Sequence, residues 1–227
     1  QGGFFEIIGL DVHEAKTEHP FAIRKNLPES SLLNFQISLT KRQKLLQKLS
    51  TILDWNYLPD PISDYGDLEC FFYFKTKLIN YRYNNLESKN KEFLLFDLSY
   101  SEGAFIAKED LRSTFLKIKA PNKMPVFALD KENFMTTILH LSGMHDIDFK
   151  KHPDFSKRFY LRGEDEEAIR SFFTNNLIYF FESHAAYYLE SNGDGLLIRS
   201  KERLASIQEI KQILAFAEEL LKILENK

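Results

Sequence analysis

Six side chains that could bind a metal ion lie close together in the second half of the chain. They are three histidines and three aspartates: His140, His145, Asp146, Asp148, His152 and Asp154. Imidazole and carboxylate ligands together suit zinc, manganese or iron. Their spacing matches neither the helical His-Glu-x-x-His motif nor a calcium-binding loop. One interpretation is therefore a divalent metal site that serves a metal-dependent hydrolase.

The same residues also have a purely structural interpretation. Asp146 and Asp148 are residue types that form turns, and they flank two apolar residues, Ile147 and Phe149, that could anchor a loop in the core. His152 precedes a proline and could begin a short helical turn. On this interpretation the chain needs no cofactor. Both interpretations stay open.

Adjacent carboxylates form a second group that could do chemistry. Glu164 to Glu167 supply four consecutive acids, and Glu190 and Asp194 follow further along the chain. A buried member of such a group could take part in acid–base catalysis. Acids at the start of a helix are favoured there by the helix dipole, and most of them are solvated. The pattern therefore favours a structural role, and the catalytic residues stay unknown.

Common catalytic motifs are absent from the sequence. It contains no phosphate-binding Gly-x-x-x-x-Gly-Lys or Gly-x-Gly-x-x-Gly, and no Gly-x-Ser-x-Gly. The single cysteine, Cys70, lies among aromatic residues and has no evident activating partner. These absences favour a protein that binds rather than catalyses.

Composition limits the partners and the compartment. The net charge is −3 and the pI is about 6.1, so the chain has no general attraction to phosphate backbones and we expect no nucleic-acid binding. One cysteine cannot form an internal disulfide, which favours a reducing compartment. The apolar runs are far shorter than the ~20 residues that span a bilayer. The 21 phenylalanines and 10 tyrosines predict an aromatic core.

Hydrophobic periodicity predicts an α+β fold, with an antiparallel sheet, helices packed on it, a C-terminal hairpin and a long amphipathic C-terminal helix. The predicted strands are Cys70–Phe74, Leu78–Tyr83, Glu92–Tyr100, Arg112–Lys119 and the hairpin Tyr187–Arg199. The predicted helices are 41–54, 130–141 with Asp130 as its N-cap, one that begins at Glu164, 174–182, and one that begins at Ser206. We predict a strand-rich half, residues 1–125, and a half of helices and hairpin, residues 126–227, as two domains or one continuous domain.

Four segments resemble a pattern found in uncharacterised bacterial proteins, known as hypothetical proteins or domains of unknown function. The segments are Pro125–Leu129, Asp146–Phe149, His152–Leu161 and Gly163–Arg170. The resemblance covers about sixty residues, and it is vaguer upstream, over Tyr81 to Gly103. It implies a soluble region that follows transmembrane helices, and it implies no known activity, substrate or catalytic residue.

The functional hypothesis combines this resemblance with the missing catalytic motifs. We interpret the chain as a binding or interaction module on the cytoplasmic side of a bacterial membrane, anchored through a segment absent from this chain. Its partner would be an unknown protein, and the sequence does not indicate an oligomeric state. The alternative is the metal-dependent hydrolase that uses His140 to Asp154.

Overall fold

The computed structural model describes residues 39–103, 109–131 and 146–225. The chain divides into two compact units, Gln1–Lys41 and Arg42–Lys227. The described helices and strands lie in the second unit, apart from Lys41, which is the first residue of the first described helix.

Five strands follow the first described helix, and helices and strands are mixed in the remainder of the described chain. In order they are α1 (Lys41–Leu53), β1 (Asn56–Leu58), β2 (Leu78–Glu87), β3 (Phe93–Glu102), β4 (Glu109–Lys119), β5 (Phe127–Lys131), α2 (Pro153–Arg158), β6 (Phe159–Gly163), α3 (Glu166–Phe172), α4 (Asn175–Ser183), β7 (Tyr188–Ser191), β8 (Gly195–Arg199) and α5 (Ile207–Glu225). Two 3₁₀ turns, Gly66–Leu68 and Phe72–Phe74, lie between β1 and β2.

The strands form one sheet of eight strands in the order β1-β2-β3-β4-β8-β7-β5-β6, and every neighbouring pair is antiparallel. The predicted α+β class is therefore confirmed. Pairing of β4 with β8, from Phe115 opposite Arg199 to Lys119 opposite Gly195, joins strands that lie before and after residue 126. The predicted boundary at 125/126 falls in the connection between β4 and β5, and it stays a prediction.

One face of the sheet packs against the helices through a core rich in phenylalanine. Its sheet residues include Leu95, Leu116, Leu129, Leu189 and Ile198. Its helix residues include Phe155, Phe181 and the stripe Ile210, Ile213, Leu214, Ala217, Leu220, Leu221 and Leu224 on α5, and Phe173 joins them directly after α3. The aromatic rings meet edge-to-face or offset, as buried ring pairs prefer. The predicted amphipathic C-terminal helix is confirmed.

The other face is covered by the segment 59–77, and here the predicted strand Cys70–Phe74 is wrong. Phe71, Tyr73 and Phe74 are buried on this face, but Cys70 is exposed. The backbone N–H groups of Phe72 and Tyr73 donate to the carboxylate of Glu190 on β7 instead of to a neighbouring strand. Because these N–H groups bind Glu190, which is distant in the sequence, the aromatic segment packs on the face of the sheet and does not pair as a strand.

Other predictions needed correction around the last strands of the sheet. Asp130 lies inside β5 and does not cap a helix, and its Oδ1 accepts from the N–H of Lys131 at 2.7 Å. Residues 132–145, where the remainder of that predicted helix falls, lie outside the described part of the chain.

Strand β6 was not predicted. Its five residues directly follow α2, so the sequence shows no turn signal before it.

Local signals predicted the hairpin and the start of α5 correctly. Gly193 has φ of 94°, and the Oδ1 of Asn192 accepts from the N–H groups of Asp194 and Gly195. At the start of α5 the N–H of Ser206 donates to Glu209 Oε2 at 2.8 Å, and the N–H of Glu209 donates to the Ser206 hydroxyl at 3.2 Å. This reciprocal pair is the predicted capping box.

Candidate functional site

A cleft of about 710 Å³ opens between the loop that precedes α2 and the junction of α3 with α4. It is lined by Asp148, Phe149, Lys150, Lys151, His152, Arg170, Phe173, Thr174, Asn175 and Ile178. A volume of this size falls in the range of ordinary ligand-binding clefts. Two of the predicted metal ligands, Asp148 and His152, are among its lining residues, so the sequence located part of this site.

The near end of the loop is held on the free edge of β6. The N–H of Ile147 donates to the carbonyl of Leu161 at 2.8 Å, and the N–H of Leu161 donates to Asp146 Oδ1 at 3.1 Å. Burial raises the pKa of the Asp146 carboxyl, and the Leu161 N–H acts in the opposite direction. Asp146 therefore closes a sheet edge that would otherwise present unpaired backbone groups.

The far end of the loop is held by His152, whose side chain is only 7% exposed. Its Nε2 lies 2.9 Å from Asn175 Oδ1 on α4, and its Nδ1 lies 4.0 Å from Glu182 Oε1. The ring also packs edge-on against Tyr179, with 5.2 Å between centroids. The imidazole thus connects the start of α2 to α4. His152 directly precedes a short helix, as the structural interpretation predicted.

The rim of the cleft carries most of its charge. Lys150 and Lys151 are exposed on the loop. Arg170 of α3 donates from Nη1 to the carbonyl oxygen of Asp148 at 2.7 Å, and its guanidinium lies over the Phe149 ring at 5.5 Å from the centroid. Three cationic side chains, Lys150, Lys151 and Arg170, therefore lie around the Phe149 ring of the cleft. This combination could not be predicted from the sequence, because its members come from separate elements.

The predicted metal ligands are only partly described by the structure. Asp154 lies exposed in the first turn of α2, and Asp146 is engaged at β6. His140 and His145 lie outside the described residues. Within residues 39–103, 109–131 and 146–225, no three His, Cys, Asp or Glu side chains form a group that could hold a metal ion. The six-residue metal site stays a prediction.

The carboxylates considered for acid–base chemistry do not form one group. Asp165 caps α3 by accepting from the N–H of Ala168 at 2.9 Å, and Glu164, Glu166 and Glu167 are exposed around the start of that helix. Glu190 projects from the opposite face of the sheet, because the alternate residue of β7, Leu189, packs in the helical core. The helix-start acids are therefore solvated, as the sequence analysis expected.

Glu190 lies in a buried polar cluster under the segment 59–77. Its side chain accepts the N–H of Tyr73 at 3.0 Å and the hydroxyl of Tyr188 at 2.6 Å, in addition to the N–H of Phe72. Burial raises the pKa of Glu190 to about 7, although these three hydrogen bonds lower it. All three donors are structural groups, so we interpret this carboxylate as an anchor for the covering segment.

Two further charged residues adjoin this anchor. Burial raises the pKa of Asp130 to about 6, with the positive charge of Arg199 acting in the opposite direction. The Arg199 guanidinium lies over the rings of Tyr73 and Tyr188, at 4.8 and 5.6 Å from their centroids. Burial in this cluster thus raises the pKa of two carboxyls, those of Glu190 and Asp130, because it disfavours their charged forms.

Comparison with known proteins gives a likeness of fold. No known family and no curated protein matches the sequence. Among solved structures, the crystal structure of the mycobacterial trehalose monomycolate transport factor A, TtfA, is similar, with a TM-score of 0.59 and 8% identity over 80% of this chain and 93% of that chain. At this identity the likeness concerns the fold alone. The predicted resemblance to membrane-anchored bacterial proteins stays a prediction.

The described helices differ in length and in apolar character. None of them, within residues 39–103, 109–131 and 146–225, is both long enough and apolar enough to cross a bilayer.

Proposed function

We propose that this chain is a binding module, without a catalytic role, that takes its ligand or partner in the cleft beside α2. The observation that carries the proposal is the combination of an aromatic base, Phe149 and Phe173, with a cationic rim. Two polar side chains of the cleft hold the local structure: His152 bonds Asn175, and Arg170 bonds a backbone carbonyl. A site of this kind supports recognition better than bond-making chemistry.

We further propose that the module is the soluble region of a membrane-anchored bacterial protein, and that it lies on the cytoplasmic side. The motive is the resemblance predicted from the sequence over about sixty residues. The fold is also similar to that of a protein whose name describes a transport factor. A module of this type would hold a component of a membrane assembly. Its anchor would be a segment outside this chain.

A fragment screen tests the cleft as a binding site. We expect small aromatic compounds, neutral and anionic, to shift the backbone NMR signals of Phe149, Arg170 and Phe173 in ¹H–¹⁵N spectra. Phe149→Ala removes the half-buried ring of the base, so we expect it to weaken the best fragment by about tenfold. Leu58→Ala, an exposed apolar residue on β1, is the matched control and should leave binding unchanged. Shifts scattered over the surface, with none at the cleft, would contradict the proposal.

The alternative, a metal-dependent hydrolase, is supported by the position of Asp148 and His152 on one cleft. It makes a distinct prediction. Protein purified from medium with added zinc and manganese should contain near-stoichiometric metal by elemental analysis, and the double variant His145→Ala/His152→Ala should lose it. His184→Ala, outside the cluster, should retain it. Metal-free wild-type protein from such a preparation would rule this alternative out.

A further inference from the structure

We infer that the occupant of the cleft is an acidic segment of a partner protein that carries an aromatic or large aliphatic anchor. This inference rests on the proposed function and names the class of ligand for the same site. It follows from the charge of the rim, from the way in which Arg170 already binds a carboxylate, and from the position of the apolar residues.

The rim is positively charged in a chain that is acidic as a whole. Lys150, Lys151 and Arg170 supply three cations among the ten lining residues, and Asp148 is the one acid among them. The whole chain has a net charge of −3. A local excess of cations against this background favours an anionic ligand, because complementary charge speeds association and excludes wrong partners.

Arg170 shows how a carboxylate can sit on this rim. Its Nε donates to Glu166 Oε1 at 2.8 Å, while the guanidinium lies over the Phe149 ring at 5.5 Å from the centroid. Both members of this pair are largely exposed, and ion pairs of this type between helical neighbours contribute only about 0.3–0.5 kcal/mol. An incoming Asp or Glu can therefore replace Glu166 with little loss.

The aromatic residues favour a peptide over a lipid surface. Phe173 and Ile178 lie at the base of the cleft and are buried, so they cannot insert into a bilayer. The half-buried Phe149 is the ring of the cleft that one ligand side chain can reach. Tyr179, next to His152, is 58% exposed and adds an aromatic contact outside the cleft. Aromatic and arginine side chains around a small apolar base are typical of protein interfaces.

Peptide titration tests the inference. The probe is a labelled peptide of about twelve Asp and Glu residues around one central phenylalanine, long enough to cross the cleft when extended. We expect saturable binding in the micromolar range by fluorescence anisotropy, weakened by salt. The double variant Lys150→Glu/Lys151→Glu should bind about tenfold more weakly, because each reversal replaces an attraction with a repulsion. Replacing the central phenylalanine with alanine should weaken binding by a similar factor.

Matched controls separate specific recognition from general charge. Lys44→Glu/Lys48→Glu reverses two exposed lysines on α1 and should leave peptide affinity unchanged. Vesicles of anionic phospholipid and a single-stranded oligonucleotide serve as competitors. Displacement of the peptide by either one, equal loss in both double variants, or no saturable binding would overturn the inference. If fragments shift the cleft signals but the peptide does not bind, the proposed function stands and this inference fails.

Discussion

Asp97→Ala is expected to lower the free energy of unfolding by about 3–5 kcal/mol, which is the cost of leaving a buried charge network without its acceptor. Asp97 on β3 is 1% exposed. Its carboxylate accepts from Arg42 Nε at 2.6 Å and Nη2 at 2.7 Å, from Asn84 Nδ2 at 2.8 Å and from the Thr114 hydroxyl at 2.7 Å. Urea denaturation at neutral pH measures the change.

The network explains why the effect should exceed that of one lost hydrogen bond. Arg42 also donates to the carbonyl of Ala205 at 2.7 Å, and the N–H of Ala205 donates to the Thr114 hydroxyl at 2.9 Å. The carboxylate on β3 thus joins α1, the two neighbouring strands β2 and β4, and the entry to α5. Removing it leaves Arg42 and Asn84 without their shared acceptor, and Arg42 is then a half-buried, uncompensated charge.

A matched aspartate provides the control. Asp64→Ala alters an exposed side chain and should change stability by no more than about 0.5 kcal/mol. If Asp97→Ala does not fold, Asp97→Asn retains the shape and one acceptor oxygen, and it should lose about half as much. A loss below about 1 kcal/mol in Asp97→Ala would show that the network contributes little.

Glu190 should make the protein less stable as pH rises toward neutrality. Its pKa in the folded state is about 7, above the ordinary value of 4.5 that applies in the unfolded chain. Between these two values the unfolded carboxyl loses its proton while the folded one keeps it, so ionisation favours unfolding. The free energy of unfolding should fall by on the order of 2 kcal/mol from about pH 5 to about pH 7.5 through this group alone.

Comparison of variants isolates this contribution from the other carboxylates. Glu190→Gln cannot ionise, so the difference in unfolding free energy between wild type and variant should change with pH by the amount given above. Asp130, whose pKa is about 6, adds a change of the same sign to both proteins. Glu164→Gln, at an exposed position, should follow the wild-type pH profile. Parallel profiles for wild type and Glu190→Gln would refute the assignment.

Part of the candidate site could be predicted from the sequence, because Asp148 and His152 are among the residues that line the cleft. The turn-forming pattern around Ile147 and Phe149 indicated a loop anchored in the core, and both the edge contact of Asp146 and the buried His152 agree with that structural interpretation. Arg170 and Phe173 could not be assigned to the same site. They lie in and directly after another helix, and only the packing of α3 and α4 against the loop places them on one cleft.

The sequence by itself determined the elements whose signals are local. The Asn192–Gly195 turn, the Ser206 capping box and the apolar stripe of α5 each depend on residues within a few positions of one another, so they formed where predicted. Only the tertiary structure decided where Cys70–Phe74 would lie. The backbone of that segment could also pair in a sheet. In the folded protein it binds instead the Glu190 carboxylate on β7, which lies 118 residues from Phe72 in the sequence. Contacts of that range depend on the whole chain having folded, and no local pattern encodes them.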